Sequence, residues 1–227
     1  MTKSEIRSFV KGLVRGISVE ERTRFSEALK EEVVGLECWR SAKEVMLFFS
    51  LPDEVDMLPL IRAALAEQKR IYLPRVIATQ VSRGVDVCEV AEGNTLPKKS
   101  TLAMESTLPK ESTLPAGNTV SGEEMILEVR ELAPERLAPG RWGIWEPTDE
   151  APLLSDYSRL DLVVVPGVAF SSDGKRLGRG KSFYDRFLPL VPRAAFVGVC
   201  YPCQVVEQIP ADPWDIGMDI VCCGEKR

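Results

Sequence analysis

The chain has 227 residues, of which 44% are hydrophobic, so it is long enough to bury one sizeable core and predicts a single domain. Its net charge of −5 argues against a general affinity for nucleic acid, because binding to a phosphate backbone depends on clustered Lys and Arg. The absence of histidine excludes Ser-His-Asp triads, Cys-His pairs and histidine-ligated metal sites, which leaves chemistry based on phosphate positioning, metal ions and carboxylates.

No segment at the N-terminus has the apolar core of a signal peptide, and no apolar run approaches the ~20 residues of a membrane span. We therefore expect a cytoplasmic protein that associates with neither membranes nor nucleic acid. We also expect it to act as a monomer.

Two helices are predicted over residues 3–37, and the second begins at a capping box that starts with Ser18. The first helix carries Lys3, Arg7 and Lys11 at intervals of four residues, which aligns three cations on one face. A solvated face is the plainer interpretation of such a stripe. The spacing alone therefore does not make it a ligand site.

A strand–helix–strand unit follows, with a strand over Glu44–Ser50, a helix over Asp56–Gln68 and a strand over Lys69–Leu73. The same patterns predict further strands at Val85–Val90, Asp161–Val165, Ala195–Cys200 and Asp219–Cys223. This alternation predicts an α/β fold, a single three-layer α/β/α domain with a mostly parallel twisted sheet. Ligands of such sheets bind at the carboxyl ends of strands, so the loops after Ser50 and Val165 are expected to face one cleft.

Residues 94–117 contain a low-complexity repeat that reads NTLPKK, STLAME, STLPKE and STLPAG. A repeat of six residues is also found in left-handed β-helices, but one leucine per repeat and several prolines cannot build a solenoid core. The segment is therefore predicted to be an exposed, disordered insertion into the single domain that spans residues 1–227.

The stretch from residue 161 to 188 combines a buried strand, a glycine-rich basic loop and a carboxylate near the start of a helix. Leu162–Val165 is a continuous apolar run of the kind that is covered on both faces of a sheet. Gly178 and Gly180 let backbone N–H groups approach an anion. The cations beside them are Arg176, Arg179 and Lys181. This composition is typical of a phosphate site, whereas a solvated basic turn is the plainer alternative for a lone glycine pair.

A short amphipathic helix is predicted over Lys181–Leu188, with its N-terminal N–H groups directed at the same anion. Asp185 stands in its first turn among the cations, where a carboxylate is well placed to hold a Mg²⁺ that bridges phosphates.

Six cysteines, at positions 38, 88, 200, 203, 222 and 223, are predicted to be reduced and packed among the strands. The Cys200–Cys203 C-x-x-C pair and Cys222–Cys223 form the alternative, a thiolate metal site. Adjacent cysteines rarely ligate one Zn²⁺ well, so packing is favoured.

The strings P-G-V-A-F, D-G-K-R-L-G-R-G-K and F-Y-D-R-F-L, in this order, resemble the signature of 5-formyltetrahydrofolate cyclo-ligases, also called methenyltetrahydrofolate synthetases. The resemblance covers nearly the whole chain outside the insertion. It begins at Lys3-Ser-Glu-Ile-Arg7, similar to K-x-x-x-R, and includes Gly140–Pro147, similar to G-x-x-G-I-x-E-P. It implies conversion of 5-formyltetrahydrofolate to 5,10-methenyltetrahydrofolate with ATP and Mg²⁺, through phosphorylation of the formyl oxygen, attack by N10 and release of ADP and phosphate.

The resemblance also implies roles for individual residues. The expected ATP-binding residues are Lys3, Arg7, Arg176, Leu177, Gly178, Arg179, Gly180, Lys181, Ser182, Phe183 and Tyr184. The expected folate-binding residues are Phe49, Glu54, Arg179 and Phe183. The expected catalytic cations are Arg176, Arg179 and Lys181, and the expected Mg²⁺ ligands are Asp185 and Asp215. Trp142 and Trp145 are interpreted as loop anchors and receive no role.

Three positions depart from the family pattern. Ser182 stands where glycine is usual, and a positive φ there would cost roughly 1 kcal/mol. Phe183 replaces a common tyrosine, and Trp214 stands where histidine or another polar residue often precedes the metal aspartate. No charged group is lost, so the changes bear on substrate affinity more than on the reaction class.

Two other functions fit parts of the pattern. A sugar-phosphate isomerase would use the basic loop for a monophosphate and Glu54 as its base, but it leaves the N-terminal cations without a role. The other function is a non-catalytic folate- or nucleotide-binding module, in which Ser182 and Phe183 would indicate lost activity.

Overall fold

The structure is a computed structural model, and it describes residues 1–80, 123–140 and 143–225. The helices are α1 (Lys3–Arg15), α2 (Val19–Val34), α3 (Glu37–Ser41), α4 (Leu58–Ala66) and α5 (Phe183–Phe187). The strands are β1 (Glu44–Met46), β2 (Arg70–Gln80), β3 (Glu123–Glu131), β4 (Leu137–Pro139), β5 (Trp145–Pro147), β6 (Leu162–Pro166), β7 (Ala169–Ser171), β8 (Arg176–Leu177), β9 (Ala195–Val199), β10 (Val205–Val206) and β11 (Ile220–Cys222). In this part of the chain, no helix is both long and apolar enough to cross a membrane.

The central sheet has the strand order β11-β9-β6-β1-β2-β3, and every neighbouring pair is parallel except β2 with β3. Val45 of β1 pairs with Ile71 on one side and Leu162 on the other, so β1 lies inside the sheet. Smaller sheets form from β10-β7-β8 and from β4-β5. The predicted α/β class with a largely parallel sheet is confirmed.

The apolar core lies on both faces of the central sheet. Leu162 and Val164 of β6 belong to a cluster that includes buried residues of α1, α2 and α4. Val163 and Val165 point to the opposite cluster, which includes Phe187 at the end of α5. Since successive side chains of a strand point to opposite faces, burial on both sides explains why β6 is apolar throughout.

Two strands, β1 and β2, differ most from their predicted boundaries. The β1 ladder ends at Met46, although Leu47 N still donates to Tyr72 O at 2.9 Å. The β2 strand continues to Gln80 because it pairs antiparallel with β3, which was not predicted. The strand predicted at 85–90 and the repeat at 94–117 lie outside the described residues.

The helices of the N-terminal half follow their local signals. The capping box at Ser18 is present, because Glu21 N donates to the serine hydroxyl and Ser18 N donates to the Glu21 carboxylate. The α4 helix begins two residues later than predicted, after Asp56, whose carboxylate accepts from Leu58 N at 3.0 Å. It ends before Gln68, whose φ of 57° is left-handed.

The cysteines in the described residues, 38, 200, 203, 222 and 223, are free thiols. Cys200 follows β9 and Cys222 lies in β11, where Cys200 N donates to Cys222 O at 3.1 Å. Burial raises the pKa of both thiols well above the ordinary value of a cysteine, which favours the neutral form. Their positions in the core agree with the predicted packing role.

Candidate active site

The cationic face of α1 lies against the glycine-rich loop between β8 and α5. The helix begins at Lys3 because Thr2 and Glu5 form a capping box. One turn later, Arg7 Nε donates to Gly178 O at 2.8 Å. This contact joins two segments 171 residues apart and places the predicted phosphate-binding cations together.

Lys3 reaches the turn that precedes β11. Its Nζ lies 2.6 Å from Asp212 Oδ2 and 2.5 Å from Asp215 Oδ2. Burial disfavours its charge, but the hydrogen bonds to Asp212 and Asp215 outweigh that effect and raise the pKa of Lys3. Asp212 N also donates to Asp215 Oδ2 at 2.8 Å, so the turn is fixed around the carboxylate that receives Lys3. Trp214, within this turn, is 38% exposed.

Arg176 is buried against the glycine-rich loop between β8 and α5. Its side chain is only 3% exposed, and its Nη2 donates to Asp185 Oδ1 at 2.6 Å. A Cβ at Gly178 would lie 2.9 Å from Arg176 Nη1, so glycine lets the loop pass directly over the guanidinium. Arg176 was predicted to bind ATP and to act in catalysis, but this burial favours positioning of Asp185 and of the loop.

Arg179 points across the cleft to the loop after β1. Its Nη2 lies 2.6 Å from Asp53 Oδ1 and 3.0 Å from Glu54 Oε1, and its Nη1 and Nε add contacts of 3.2 Å to the same two carboxylates. Burial alone would raise the pKa of Asp53, but the hydrogen bonds from Arg179 lower it. The two loops that were expected to share a cleft therefore touch.

Glu54 is the buried carboxylate of this cleft. Its side chain is 8% exposed, Oε2 accepts from Leu51 N at 3.0 Å, and its carbonyl accepts from the Tyr201 hydroxyl at 3.0 Å. Burial raises the pKa of the Glu54 carboxyl, and the charge of Arg179 offsets part of that rise. A fixed carboxylate with limited water access suits recognition of paired N–H donors.

The two predicted metal ligands come from different segments that meet. Asp185 lies in α5, and its Oδ1 accepts from Ile216 N at 3.5 Å, next to Asp215 in the chain. Within residues 1–80, 123–140 and 143–225, no group of three or more His, Cys, Asp or Glu side chains could hold a metal ion. Mg²⁺ is commonly held by one or two carboxylates while phosphates and water supply the other oxygens, so carboxylates contributed by two segments have the donor chemistry that this ion needs.

Three further residues that were predicted to bind ATP differ in their exposure. Leu177 is 1% exposed and lies in the apolar core. Lys181 is exposed and makes no hydrogen bond or ion pair with any described residue. Phe183 is half-buried beside Arg186, whose guanidinium carbon lies 5.7 Å from the ring centroid. The helix predicted over 181–188 spans only Phe183–Phe187, so its dipole contributes less than expected.

Two concavities flank the loop of residues 50–56. A cavity of about 160 Å³ separates this loop from α1, and its polar lining is Arg7, Lys11, Asp53, Arg179 and Gln204. A wider groove of about 510 Å³ is lined by Phe49, Leu58, Ile144 and Trp145, among others. Phe49 therefore faces the groove, together with Trp145, which is 53% exposed and was not assigned a role. The sequence interpretation also missed Asp53 and Asp212, because the arginine and lysine that bind them are distant in the chain.

Ser182 adopts the left-handed conformation on which the expected strain depends. Its φ of 52° and ψ of 25° are left-handed, and it directly precedes α5. We expect Ser182→Gly to raise the free energy of unfolding by roughly 0.5–1 kcal/mol, because glycine adopts this conformation without a Cβ clash. Thermal unfolding should show a melting temperature higher by about 2 °C. The control Ser41→Gly, at the end of α3, should lower it; an unchanged or lower value for Ser182→Gly would contradict the strain.

Comparisons with known proteins identify the family of the chain. The model of the 5-formyltetrahydrofolate cyclo-ligase family matches residues 1–224. The chain is 24% identical to a 5-formyltetrahydrofolate cyclo-ligase of Haemophilus influenzae, covering 98% of this chain and 97% of that one. It is 30% identical to the Escherichia coli K12 protein of the same name over 187 residues, which cover 82% and 80% of the two chains.

A solved structure is also similar. The 5,10-methenyltetrahydrofolate synthetase of Aquifex aeolicus, determined by NMR, superposes with a TM-score of 0.69 at 30% identity, covering 100% of this chain and 91% of that one. A Mycoplasma pneumoniae protein with the same name, at 18% identity and a TM-score of 0.64, shares the fold. The match of the family model along residues 1–224, together with these relatives, shows that the chain belongs to the 5-formyltetrahydrofolate cyclo-ligase family.

Proposed function

We propose that this protein converts 5-formyltetrahydrofolate to 5,10-methenyltetrahydrofolate, with ATP and Mg²⁺, and releases ADP and phosphate. The observation that carries the proposal is the contact of Arg179 with Glu54, 3.0 Å between Nη2 and Oε1. It unites a basic loop suited to phosphate with a buried carboxylate suited to the N–H donors of a pteridine ring. Both substrates of a cyclo-ligase would meet at such a place.

In the first step, the formyl oxygen attacks the γ-phosphorus of ATP. The new O–P bond forms while the bond from that phosphorus to the bridging oxygen of ADP breaks, which gives an imino-phosphate and ADP. The cations that would offset phosphoryl charge are Lys3, Arg7, Arg179 and Lys181. Fixed positive groups of this kind act chiefly by positioning and electrostatic stabilisation.

In the second step, N10 of the same folate molecule attacks the activated formyl carbon. A C–N bond forms, the C–O bond to the phosphate breaks, and N10 loses its proton, so that inorganic phosphate leaves with the former formyl oxygen. Because both reacting atoms belong to one molecule, ring closure needs correct positioning more than a protein nucleophile. This requirement suits a chain without histidine.

We propose Asp185 and Asp215 as the residues that would hold Mg²⁺. The ion would supply positive charge that offsets the negative charge of the phosphates. Arg176 would keep Asp185 oriented, since its Nη2 donates to Asp185 Oδ1 at 2.6 Å. Lys3 would do the same for Asp215 through its 2.5 Å contact.

The proposal extends to a cytoplasmic monomer whose partners are small molecules, without affinity for nucleic acid or membranes. The net charge of −5 supports the exclusion of nucleic acid. The cations of the site are also largely matched by carboxylates, as in the pairs of Lys3 with Asp215 and of Arg179 with Asp53.

The direct test follows the near-ultraviolet absorbance of methenyltetrahydrofolate after purified protein is mixed with 5-formyltetrahydrofolate, ATP and Mg²⁺. We expect a rise that disappears when ATP or the metal is omitted. Binding of folate or ATP without any rise would contradict the proposal and support a non-catalytic binding module. Binding of neither ligand would leave a sugar-phosphate isomerase as the function to test next.

A further inference from the structure

We propose that Asp53 is a positioning residue that holds Arg179 in the cleft when a folate takes over the Glu54 carboxylate. The inference rests on the proposed function, because it assumes that Glu54 receives the pteridine ring. It assigns a role to a residue outside the predicted site and explains why one arginine is bound by two adjacent carboxylates.

The geometry of the guanidinium gives the two carboxylates unequal contacts. Asp53 receives two separate nitrogens, with Nη2 to Oδ1 at 2.6 Å and Nη1 to Oδ2 at 3.2 Å. Glu54 receives Nη2 and Nε on a single oxygen, Oε1, at 3.0 and 3.2 Å. The Asp53 contact is therefore bidentate and the shorter one, the arrangement that binds arginine most specifically.

Both oxygens of the Glu54 carboxylate already accept hydrogen bonds, and only Oε2 keeps an acceptor position for a ligand. Oε2 accepts from Leu51 N at 3.0 Å, and Oε1 accepts the two nitrogens of Arg179. Its side chain is only 8% exposed, so a pair of ligand N–H donors can bind it only if Arg179 withdraws at least in part. Arg179 is thus an occupant of the carboxylate as well as an expected contact of the substrates.

Asp53 can retain Arg179 during such an exchange. Its side chain is 34% exposed on the side of the small cavity that also contains Lys11 and Arg7. With Asp53 present, Arg179 gives up Glu54 and keeps its bidentate contact, so the charge stays in the cleft. Without Asp53, the Arg179 side chain would hydrogen-bond only Glu54 among the described residues. A ligand that takes over the Glu54 carboxylate would then break these hydrogen bonds, and no second carboxylate would hold the guanidinium.

The loop backbone does not depend on the Asp53 side chain. Glu54 N donates to Leu51 O at 2.9 Å, and Arg22 Nη1 donates to Pro52 O at 3.1 Å. The Tyr201 hydroxyl donates to Glu54 O at 3.0 Å. Replacing Asp53 should therefore change the partner of Arg179 while leaving Glu54 in place.

The test is a double-mutant cycle on ligand binding, measured by calorimetry with 5-formyltetrahydrofolate in the absence of ATP. The proteins are the wild type, Asp53→Asn, Arg179→Met and the combined variant. Glu37→Gln serves as a control that removes one charge from an exposed pair with Arg40 on α3. A second titration uses ATP with Mg²⁺ on the same proteins.

We expect Asp53→Asn to weaken folate binding about tenfold in the wild-type background, the loss of roughly one charge-assisted hydrogen bond. In the Arg179→Met background the same substitution should change it less than about twofold, because no arginine remains to be held. ATP binding should weaken less than folate binding, and Asp53→Glu should restore most of the affinity.

An equal loss in both backgrounds would show that Asp53 acts on the loop rather than through Arg179, and would overturn the inference. Unchanged folate affinity in Asp53→Asn would overturn it as well. If the wild type itself binds no folate, the proposed function fails, and the inference fails with it. The wild-type titration therefore distinguishes these two failures.

Discussion

Replacing Asp185 with asparagine is expected to lower turnover at least about 100-fold, because the amide removes one of the two charges proposed to hold Mg²⁺ at the phosphates. The loss should appear in kcat at saturating ATP and should be smaller at high Mg²⁺ concentration. Steady-state kinetics over a range of Mg²⁺ concentrations measures both effects. Turnover close to that of the wild type would remove the metal role of Asp185.

The same substitution also weakens the contact with Arg176, and this second effect must be separated from the first. Removing one partner of a buried ion pair costs about 3–5 kcal/mol, but asparagine keeps an oxygen that accepts from the guanidinium, so we expect a smaller loss. Thermal unfolding in the absence of ligands reports this loss independently of activity. Asp173→Asn, which breaks an exposed pair with Lys175, is the matched control and should leave turnover unchanged.

Glu54→Gln is expected to raise the KM for 5-formyltetrahydrofolate about 100-fold while the KM for ATP changes little. A carboxylate accepts two N–H donors with charge assistance, whereas a glutamine amide presents a donor where one acceptor is needed. Buried polar groups that lack a hydrogen-bond partner strongly weaken binding of a ligand, so folate binding should weaken. Initial rates at varied folate and at varied ATP separate the two constants, and equal rises in both would contradict the specific role of Glu54.

The pH dependence of folate use provides a second measure of Glu54. Burial raises the pKa of this carboxyl, so the ionised form that accepts the N–H donors is lost as the pH falls through that raised value. The kcat/KM for folate should therefore decline on acidification at a higher pH than an ordinary glutamate would produce. In Glu54→Gln this limb should be absent, and its persistence would assign it to another group.

The parts of the fold that carried a strong local signal were predicted correctly. Leu162–Val165 is apolar throughout because both faces of β6 are covered, and the Ser18 capping box marked the start of α2. The β3 strand, Glu123–Glu131, was missed because its antiparallel pairing with β2 joins residues such as Tyr72 and Glu131 that are far apart in the chain. A local sequence pattern cannot predict pairing between strands that are so far apart in the chain.

For the candidate site, sequence motifs pointed to Arg179, Glu54 and Asp185. They did not predict that Arg179 pairs with Asp53, because these two residues are 126 positions apart in the chain. Arg176 was expected to bind ATP because of its charge and the family resemblance, and its burial beneath Gly178 was visible only in the structure. The α5 helix is shorter than predicted because Ser182 is left-handed, so the helix begins only at Phe183. The residue type at position 182 did not reveal this conformation.

The most direct test of the central claim is an isotope transfer. 5-Formyltetrahydrofolate labelled with ¹⁸O in the formyl group is converted with unlabelled ATP and Mg²⁺, and the released phosphate is analysed by mass spectrometry. Phosphorylation of the formyl oxygen predicts one ¹⁸O atom in each phosphate released per methenyltetrahydrofolate formed. Recovery of the label in water, with unlabelled phosphate, would contradict the account, because the oxygen would then have left without ever joining phosphorus.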